Sequence, residues 1–359
     1  MKKYILLLIL TSVSFSYSQI NPLDVEIVRD SFGVPHIYGK TDADVAYGLA
    51  WSHAEDDFKT IQQGYLAGNG LLSKHIGIKG AGADFLTQLI ESKETVDKLF
   101  NTLDSDFIKI VEAYSQGLNK YAETHPNEIL EKKLFPITPK KMTVYSFLQL
   151  FIANEADKLV LSIINNKVPR ENPFKDDIKG SNTFAFNSNK TGKNETYLAI
   201  NTHQPLDGPT SWYEAHLVSE EGTNIIGATF AGAPCLLIGA NKNLGWAHTV
   251  NYPDKADIFE LEMHPNKKLT YLVDGEELKL EKKKASIYVN ILGIDIKLKK
   301  KYYTSIFGPT LKNKSGYFSV RTPSLYNIKA LQQWWKMNKA NTFDEFYEIL
   351  KNRNLPGYN

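Results

Sequence analysis

The sequence predicts an α+β protein, helices first and strands after, on three observations. Before residue 165, apolar residues recur at helical spacing in long runs. From Ser181 to about Val320, short apolar–polar alternations take over, and the mostly short links between them favour antiparallel pairing. Between the two halves lies an irregular polar stretch, 165–180, interrupted by Pro169 and Pro173. A chain of 359 residues with ordinary globular composition can bury a large core in one or two domains.

The first eighteen residues read as a signal peptide. Lys2-Lys3 is the charged start, 4–15 the apolar run, and Ser16-Tyr17-Ser18 a small-residue cleavage site before Gln19. The run is too short for a membrane span, and no cysteine follows it to carry a lipid. A periplasmic or secreted protein is expected, free of the membrane once the signal is removed. Residues 25–30 read as a strand, Ser31-Phe32-Gly33-Val34-Pro35 as a turn, and 36–38 as a second strand. Thr41-Asp42-Ala43-Asp44 opens a helix over 45–61, rich in small residues that allow close packing, with His53, Glu55, Asp56 and Asp57 on a solvated face. The glycine-rich stretch 64–82 reads as loop. Phe107, Ile108, Val111, Tyr114, Leu118 and Tyr121 line one face of a helix over 104–121. Pro136 and Pro139 break the chain, and a very apolar helix follows over 143–161.

Strands are expected at 196–200, 212–219, 224–229, 235–239, 246–250, 258–262, 269–273, 285–289, 294–298 and 302–306. The end is helical again: Thr342-x-x-Glu345 is a capping box, and Phe343, Phe346, Tyr347 and Leu350 share a face. Lys and Arg number 42 and Asp and Glu 40, so there is no electrostatic footprint for nucleic acid. Lys282-Lys283-Lys284 and Lys299-Lys300-Lys301 flank strands and mark solvated edges. Cys235 is the single cysteine, which excludes an intrachain disulfide; its apolar neighbours make it a small buried hydrophobe.

The chemistry centres on Gly180-Ser181, at the start of Ser181-Asn182-Thr183-Phe184-Ala185-Phe186. If that bond is cut, Ser181 becomes a new N-terminus with a nucleophilic hydroxyl. Its own α-amine, titrating around pH 8, can take the hydroxyl proton without a separate histidine. Glycine before the cut gives the backbone freedom to reach a strained geometry. Taken alone, Gly-Ser-Asn also fits an ordinary turn.

Several stretches, in order, resemble the penicillin acylase family of N-terminal-nucleophile hydrolases, and most of all its acyl-homoserine lactone and aculeacin acylase-like branch. They are Val28-Arg29-Asp30-Ser31-Phe32-Gly33-Val34-Pro35-His36-Ile37, Ala46-Tyr47-Gly48-Leu49-Ala50 with Ala54-Glu55-Asp56, and Gly180-Ser181-Asn182. After them come Asn201-Thr202-His203, Trp212-Tyr213-Glu214-Ala215-His216-Leu217, Ala231-Gly232-Ala233-Pro234, Gly239-Ala240-Asn241 and Trp246-Ala247-His248-Thr249-Val250. The resemblance implies an αββα sandwich of antiparallel sheets, incomplete in this chain. It implies a precursor divided into an α-subunit-like helical region over 19–164, a spacer over 165–180 removed or cut on processing, and the first part of a β subunit from 181 to 359. The α and β chains would stay partners after processing.

By the same resemblance, cleavage falls at Gly180-Ser181, Ser181 is the nucleophile, and His203 steadies its amine and hydroxyl. Val250 supplies a backbone N–H to the oxyanion hole. Asn182 and Asn241 give structural support, and His216 and His248 are structural residues inside strands. The implied reaction is hydrolysis of the amide bond of an N-acylated small molecule, with no cofactor required. Asp254 and Asp257 match two carboxylates of a calcium site found in part of the family, and Glu155 lies near the place of a third. Gln204 stands where the family often has an aromatic pocket residue, which leaves the acyl preference open. The asparagine that completes the family's oxyanion hole falls beyond residue 359. The alternative is therefore an inactive fragment, or one half of a split acylase with no turnover alone.

Overall fold

The computed structural model describes residues 19–168, 180–251 and 253–359. The expected signal peptide, and the spacer from Pro169 to Lys179, lie outside the described residues. Strands β1 (Val25–Arg29) and β2 (Pro35–Gly39) form a hairpin, closed where the Asp30 carboxylate accepts from the Phe32 and Val34 N–H groups. Helices follow in a row: α1 (Asp42–Gly68), α2 (Leu72–Ile76), α3 (Ala81–Leu89), α4 (Ser92–Leu99), α5 (Ser105–Thr124), α6 (Pro139–Ala153) and α7 (Ala156–Ile164). Next come β3 (Asn182–Phe186), a short helix α8 (Ser188–Thr191), β4 (Tyr197–Asn201), β5 (Tyr213–Ser219), β6 (Asn224–Thr229), β7 (Ile238–Ala240) and β8 (Gly245–Trp246). The remaining strands are β9 (Asp257–Glu260), β10 (Glu262–Met263), β11 (Thr270–Val273), β12 (Glu276–Lys279), β13 (Glu281–Ile291), β14 (Ile294–Ser305), β15 (Gly308–Lys312) and β16 (Tyr317–Arg321). Helices α9 (Ala330–Lys339) and α10 (Phe343–Leu350) end the order.

The α+β class is as expected. A six-stranded sheet runs β1-β2-β5-β6-β7-β8, a five-stranded one β13-β14-β15-β16-β9, a three-stranded one β10-β11-β12, and β3 pairs with β4. Among the described residues every ladder is antiparallel except β2–β5. That exception follows from the connection, because a parallel neighbour needs a long crossover and the helices α1–α7 intervene. One hydrophobic core joins the helices to the sheets: Leu49, Tyr114, Leu118 and Phe147 share it with Ala215, Leu217, Ile225, Leu237 and Trp334.

α1 starts on a capping box between Thr41 and Asp44 and runs well past the expected 45–61. The reading of 64–82 as loop is corrected: α1 continues to Gly68, and α2 and α3 begin within the stretch. Its glycines serve close packing. A Cβ at Gly68 would stand 2.5 Å from Tyr145 Cα, and one at Gly64 2.5 Å from the Tyr145 ring, so α6 reaches α1 only over bare backbone. The single helix expected over 143–161 is two, broken where Glu155 takes a left-handed φ of 58°. The two strands expected over 294–298 and 302–306 are one, β14, because the lysines between them pair along β13 on an exposed edge. The strands expected over 235–239 and 246–250 shrink to β7 and β8. The capping box at Thr342 begins α10 as expected.

Candidate active site

The ladder β3–β4 pairs Asn182 with Asn201, Phe184 with Ala199 and Phe186 with Tyr197. This register sets the two residue types that matter side by side: Ser181 just before β3, and Thr202-His203 just after β4. Ser181 Oγ donates to the Gly180 carbonyl oxygen at 2.8 Å and accepts from the His203 backbone N–H at 3.2 Å. The His203 ring turns to Asn182 instead, with Nε2 3.3 Å from Asn182 Nδ2. The structure thus places His203 beside Ser181, and the two meet through the His203 main chain. Ser181 precedes an outlying two-stranded ladder, not a central strand of a sheet. β3 pairs with β4 alone among the described residues, and Phe184, Phe186 and Tyr197 are exposed.

The hairpin is tied down at its β4 end. Thr202 Oγ1 donates to the His248 carbonyl at 3.3 Å, and Trp212 Nε1 donates to the Thr202 carbonyl at 3.1 Å. Trp212 itself stacks on Phe230 at 4.3 Å. These bonds carry the Ser181–His203 end to the segment that holds Val250, two residues beyond His248. Val250 bridges Tyr358 in antiparallel fashion, and Thr249 and Asn359 exchange both backbone hydrogen bonds, at 3.2 and 3.1 Å. Asn359 Nδ2 donates to the Val250 carbonyl at 3.2 Å.

His248 lies past β8 rather than inside a strand, and it has a partner: the Trp334 indole N–H donates to its Nε2 at 2.8 Å. Burial lowers its pKa to about 4, so the ring is neutral, with its proton on Nδ1. Thr202 and Trp212 stand within motifs of the resemblance without a role of their own, and Trp334 was not read from the sequence. The available signal was the tryptophans, whose buried N–H groups need acceptors.

Asn241 makes the turn expected of a support residue. Its Oδ1 accepts from the Asn243 and Leu244 N–H groups at 2.9 and 2.8 Å, and its Nδ2 donates to the Ala340 carbonyl at 2.8 Å. Asp254 and Asp257 are exposed, Asp257 at the start of β9 opposite Arg321. Among the described residues no three His, Cys, Asp or Glu side chains group closely enough to hold a metal. The donor set in place therefore does not fit a calcium cage, which takes six to eight oxygens.

The polar cluster on α1 is corrected in one member. His53 is buried, not solvated, and stacks on Tyr213 at 3.9 Å; desolvation lowers its pKa to about 4. Asp56 instead accepts from Arg29 at 2.9 Å and from the Tyr213 hydroxyl at 2.7 Å, joining α1 to β1 and β5. Cys235 is buried as expected, and desolvation pushes its thiol pKa far up.

A sequence model described as penicillin amidase matches residues 24–359. An acyl-homoserine lactone acylase PvdQ of Pseudomonas fluorescens (strain Pf0-1) is 25% identical over 361 residues, covering 90% of this chain and 46% of that protein. The PvdQ of Pseudomonas syringae pv. syringae (strain B728a) is 23% identical over 375 residues, covering 93% and 48%. Among solved structures, the thermostable penicillin G acylase from Alcaligenes faecalis in orthorhombic form aligns over 38% of this chain and 25% of that one, with a TM-score of 0.34 and 22% identity. The chain spans about half the length of the curated relatives it matches. The family match runs from Asp24 through the Ser181 hairpin to the last residue, and on it the chain belongs to the penicillin amidase family.

Proposed function

We propose that this chain carries the nucleophile half of an amidohydrolase that cuts itself at Gly180-Ser181 and then hydrolyses the amide of an N-acylated small molecule. The observation that carries the reading is the position of Ser181 Oγ, held between the Gly180 carbonyl and the His203 N–H. In the first step Oγ attacks the Gly180 carbonyl carbon and the Ser181 nitrogen leaves, taking the hydroxyl proton. The amide becomes an ester of Gly180 on Ser181 Oγ. Water hydrolyses that ester, leaving a Gly180 carboxyl group and a free Ser181 amine.

In the second step the freed amine takes the Oγ proton as Oγ attacks the substrate carbonyl, then gives it to the departing amine. The Val250 N–H is the proposed donor to the oxyanion, and water clears the acyl group from Ser181. The relatives' names support an acyl-homoserine lactone or a similar N-acyl compound as substrate. The apolar leader supports processing in the periplasm or outside the cell.

A second reading has an observation in its favour. The hairpin's aromatic residues Phe184 and Phe186 are 55% and 46% exposed, so the described residues do not exclude water from Ser181. On that reading the 359-residue chain has little turnover until a further polypeptide covers the hairpin. One experiment separates the two. The chain is incubated with an acyl-homoserine lactone and a chromogenic acyl anilide, and its fragments are sequenced for a start at Ser181-Asn182-Thr183. Cleavage and turnover, both lost in Ser181→Ala, support the first reading. Cleavage without turnover supports the second. Turnover by an uncut chain removes Ser181 from the mechanism.

A further inference from the structure

The six-stranded sheet, which does not include the Ser181 hairpin, brings two histidines together. In the parallel ladder, His36 of β2 lies directly opposite His216 of β5. Their Nδ1 atoms are 2.9 Å apart, and the rings meet edge to face with centroids at 5.0 Å. Both side chains are half-buried. Each ring's other nitrogen faces an acceptor. His36 Nε2 is 3.7 Å from Asp30 Oδ2, and His216 Nε2 is 3.1 Å from Asn224 Oδ1. Asp30 is fixed in place because its Oδ1 accepts from Phe32 and Val34 at 2.8 and 3.0 Å. Desolvation works against the charge on Asp30, but those N–H groups and His36 together hold its carboxyl below the ordinary value.

The Asn224 oxygen at 3.1 Å favours a proton on His216 Nε2, and the Asp30 carboxylate facing His36 Nε2 favours the same tautomer in that ring. The two Nδ1 lone pairs then point at one another across 2.9 Å, an arrangement that a shared cation resolves. We propose that His36 and His216 chelate a divalent transition-metal ion of the zinc type through their Nδ1 atoms. With metal–nitrogen bonds of about 2.0–2.1 Å, two ligands stand about 2.9 Å apart at a right angle and about 3.3 Å apart in a tetrahedron. The observed separation is the first of these, and a few tenths of an ångström of side-chain movement reaches the second. Asn224 fits the usual pattern in which a ligating imidazole donates its remaining N–H to a carbonyl oxygen, and Asp30 faces the corresponding nitrogen of His36 from 3.7 Å. Two protein ligands on a half-open face leave the other positions to water. That fits an exchangeable site, and agrees with the absence of a closed group of three such side chains among the described residues.

The competing occupant of the gap is a proton, giving a neutral N–H···N bond. Calorimetric titration of the chelator-stripped 359-residue chain with Zn²⁺, and the visible spectrum with Co²⁺, decide between them. We expect one equivalent bound in the micromolar range. Loss of binding is expected in His36→Gln and in His216→Gln, and a tenfold or greater weakening in Asp30→Asn, which removes no ligand. Ser181→Ala should bind as the parent does, so failure of the proposed reaction leaves this result unaffected. Binding no tighter than that of the His36→Gln/His216→Gln double variant overturns the proposal, as does undiminished binding in both single variants. If a variant does not fold, imidazole nitrogen shifts in the parent chain serve instead. Zn²⁺ should move the Nδ1 signals of both residues together, and unmoved signals overturn the proposal.

Discussion

At the scale of single residues, the contact between Ser181 and the His203 main chain changes what substitutions there should do. His203→Ala keeps the N–H and should slow processing only slightly. His203→Pro removes it and should slow processing by roughly 10², the scale on which a misplaced reacting atom costs rate. Equal effects, measured as the rate of appearance of the Ser181 fragment, would return the role to the ring. That these two stretches belong together was legible because Gly180-Ser181-Asn182 and Asn201-Thr202-His203 are contiguous motifs. Which atom of His203 does the touching was not, since it depends on the Asn182–Asn201 register. His53 and His248 make a second prediction. Both are buried and neutral with pKa lowered to about 4. A histidine depressed in the folded state contributes stability that is complete above its unfolded pKa near 6.5 and is lost as pH falls toward 4. Asp84, whose carboxyl burial pushes up, works in the opposite direction. The urea midpoint should therefore fall between pH 7 and pH 5, with a slope of up to roughly 1.4 kcal/mol per pH unit for each histidine. A midpoint flat over that range, in the parent and in Asp84→Asn alike, would show that neither ring is held neutral.

At the scale of elements, the helices with one clear apolar face and the strands between plain turns were readable, as α5 and β6 show. Two kinds of element were not. Glycines that permit helix contact look in sequence like glycines that make loops, which is why the end of α1 was missed. The lysines of β14 look like a break, although on an exposed edge they continue a strand and discourage further pairing. The first point is testable. Gly68→Ala puts a methyl group against the Tyr145 backbone and should destabilise the protein by about 1–3 kcal/mol, seen as a lower urea midpoint with unchanged slope. The neighbouring Gly82, whose Cβ would meet nothing within 4 Å, is the control, and Gly82→Ala should be neutral or mildly stabilising. Equal midpoints for the two variants would mean that α6 yields easily.

At the scale of the whole molecule, the α+β class could be read from the order of periodicities, whereas the pairing of β2 with β5 could not. No local pattern announces a partner some 180 residues away, since register is set by which faces share a core. That pairing has a consequence for a processed molecule. β1 and β2 precede Ser181 while β5 to β8 follow it, so scission at Gly180-Ser181 would leave two polypeptides woven into one sheet and one core. The nick would go unnoticed by a gel-filtration column and be visible only under denaturing conditions. What it would change is the molecularity of unfolding. An intact chain unfolds from one particle to one, and its midpoint does not depend on how much protein is present. A nicked one unfolds from one particle to two, so its Tm should climb with protein concentration, while Ser181→Ala, left whole, stays level across the same dilution series.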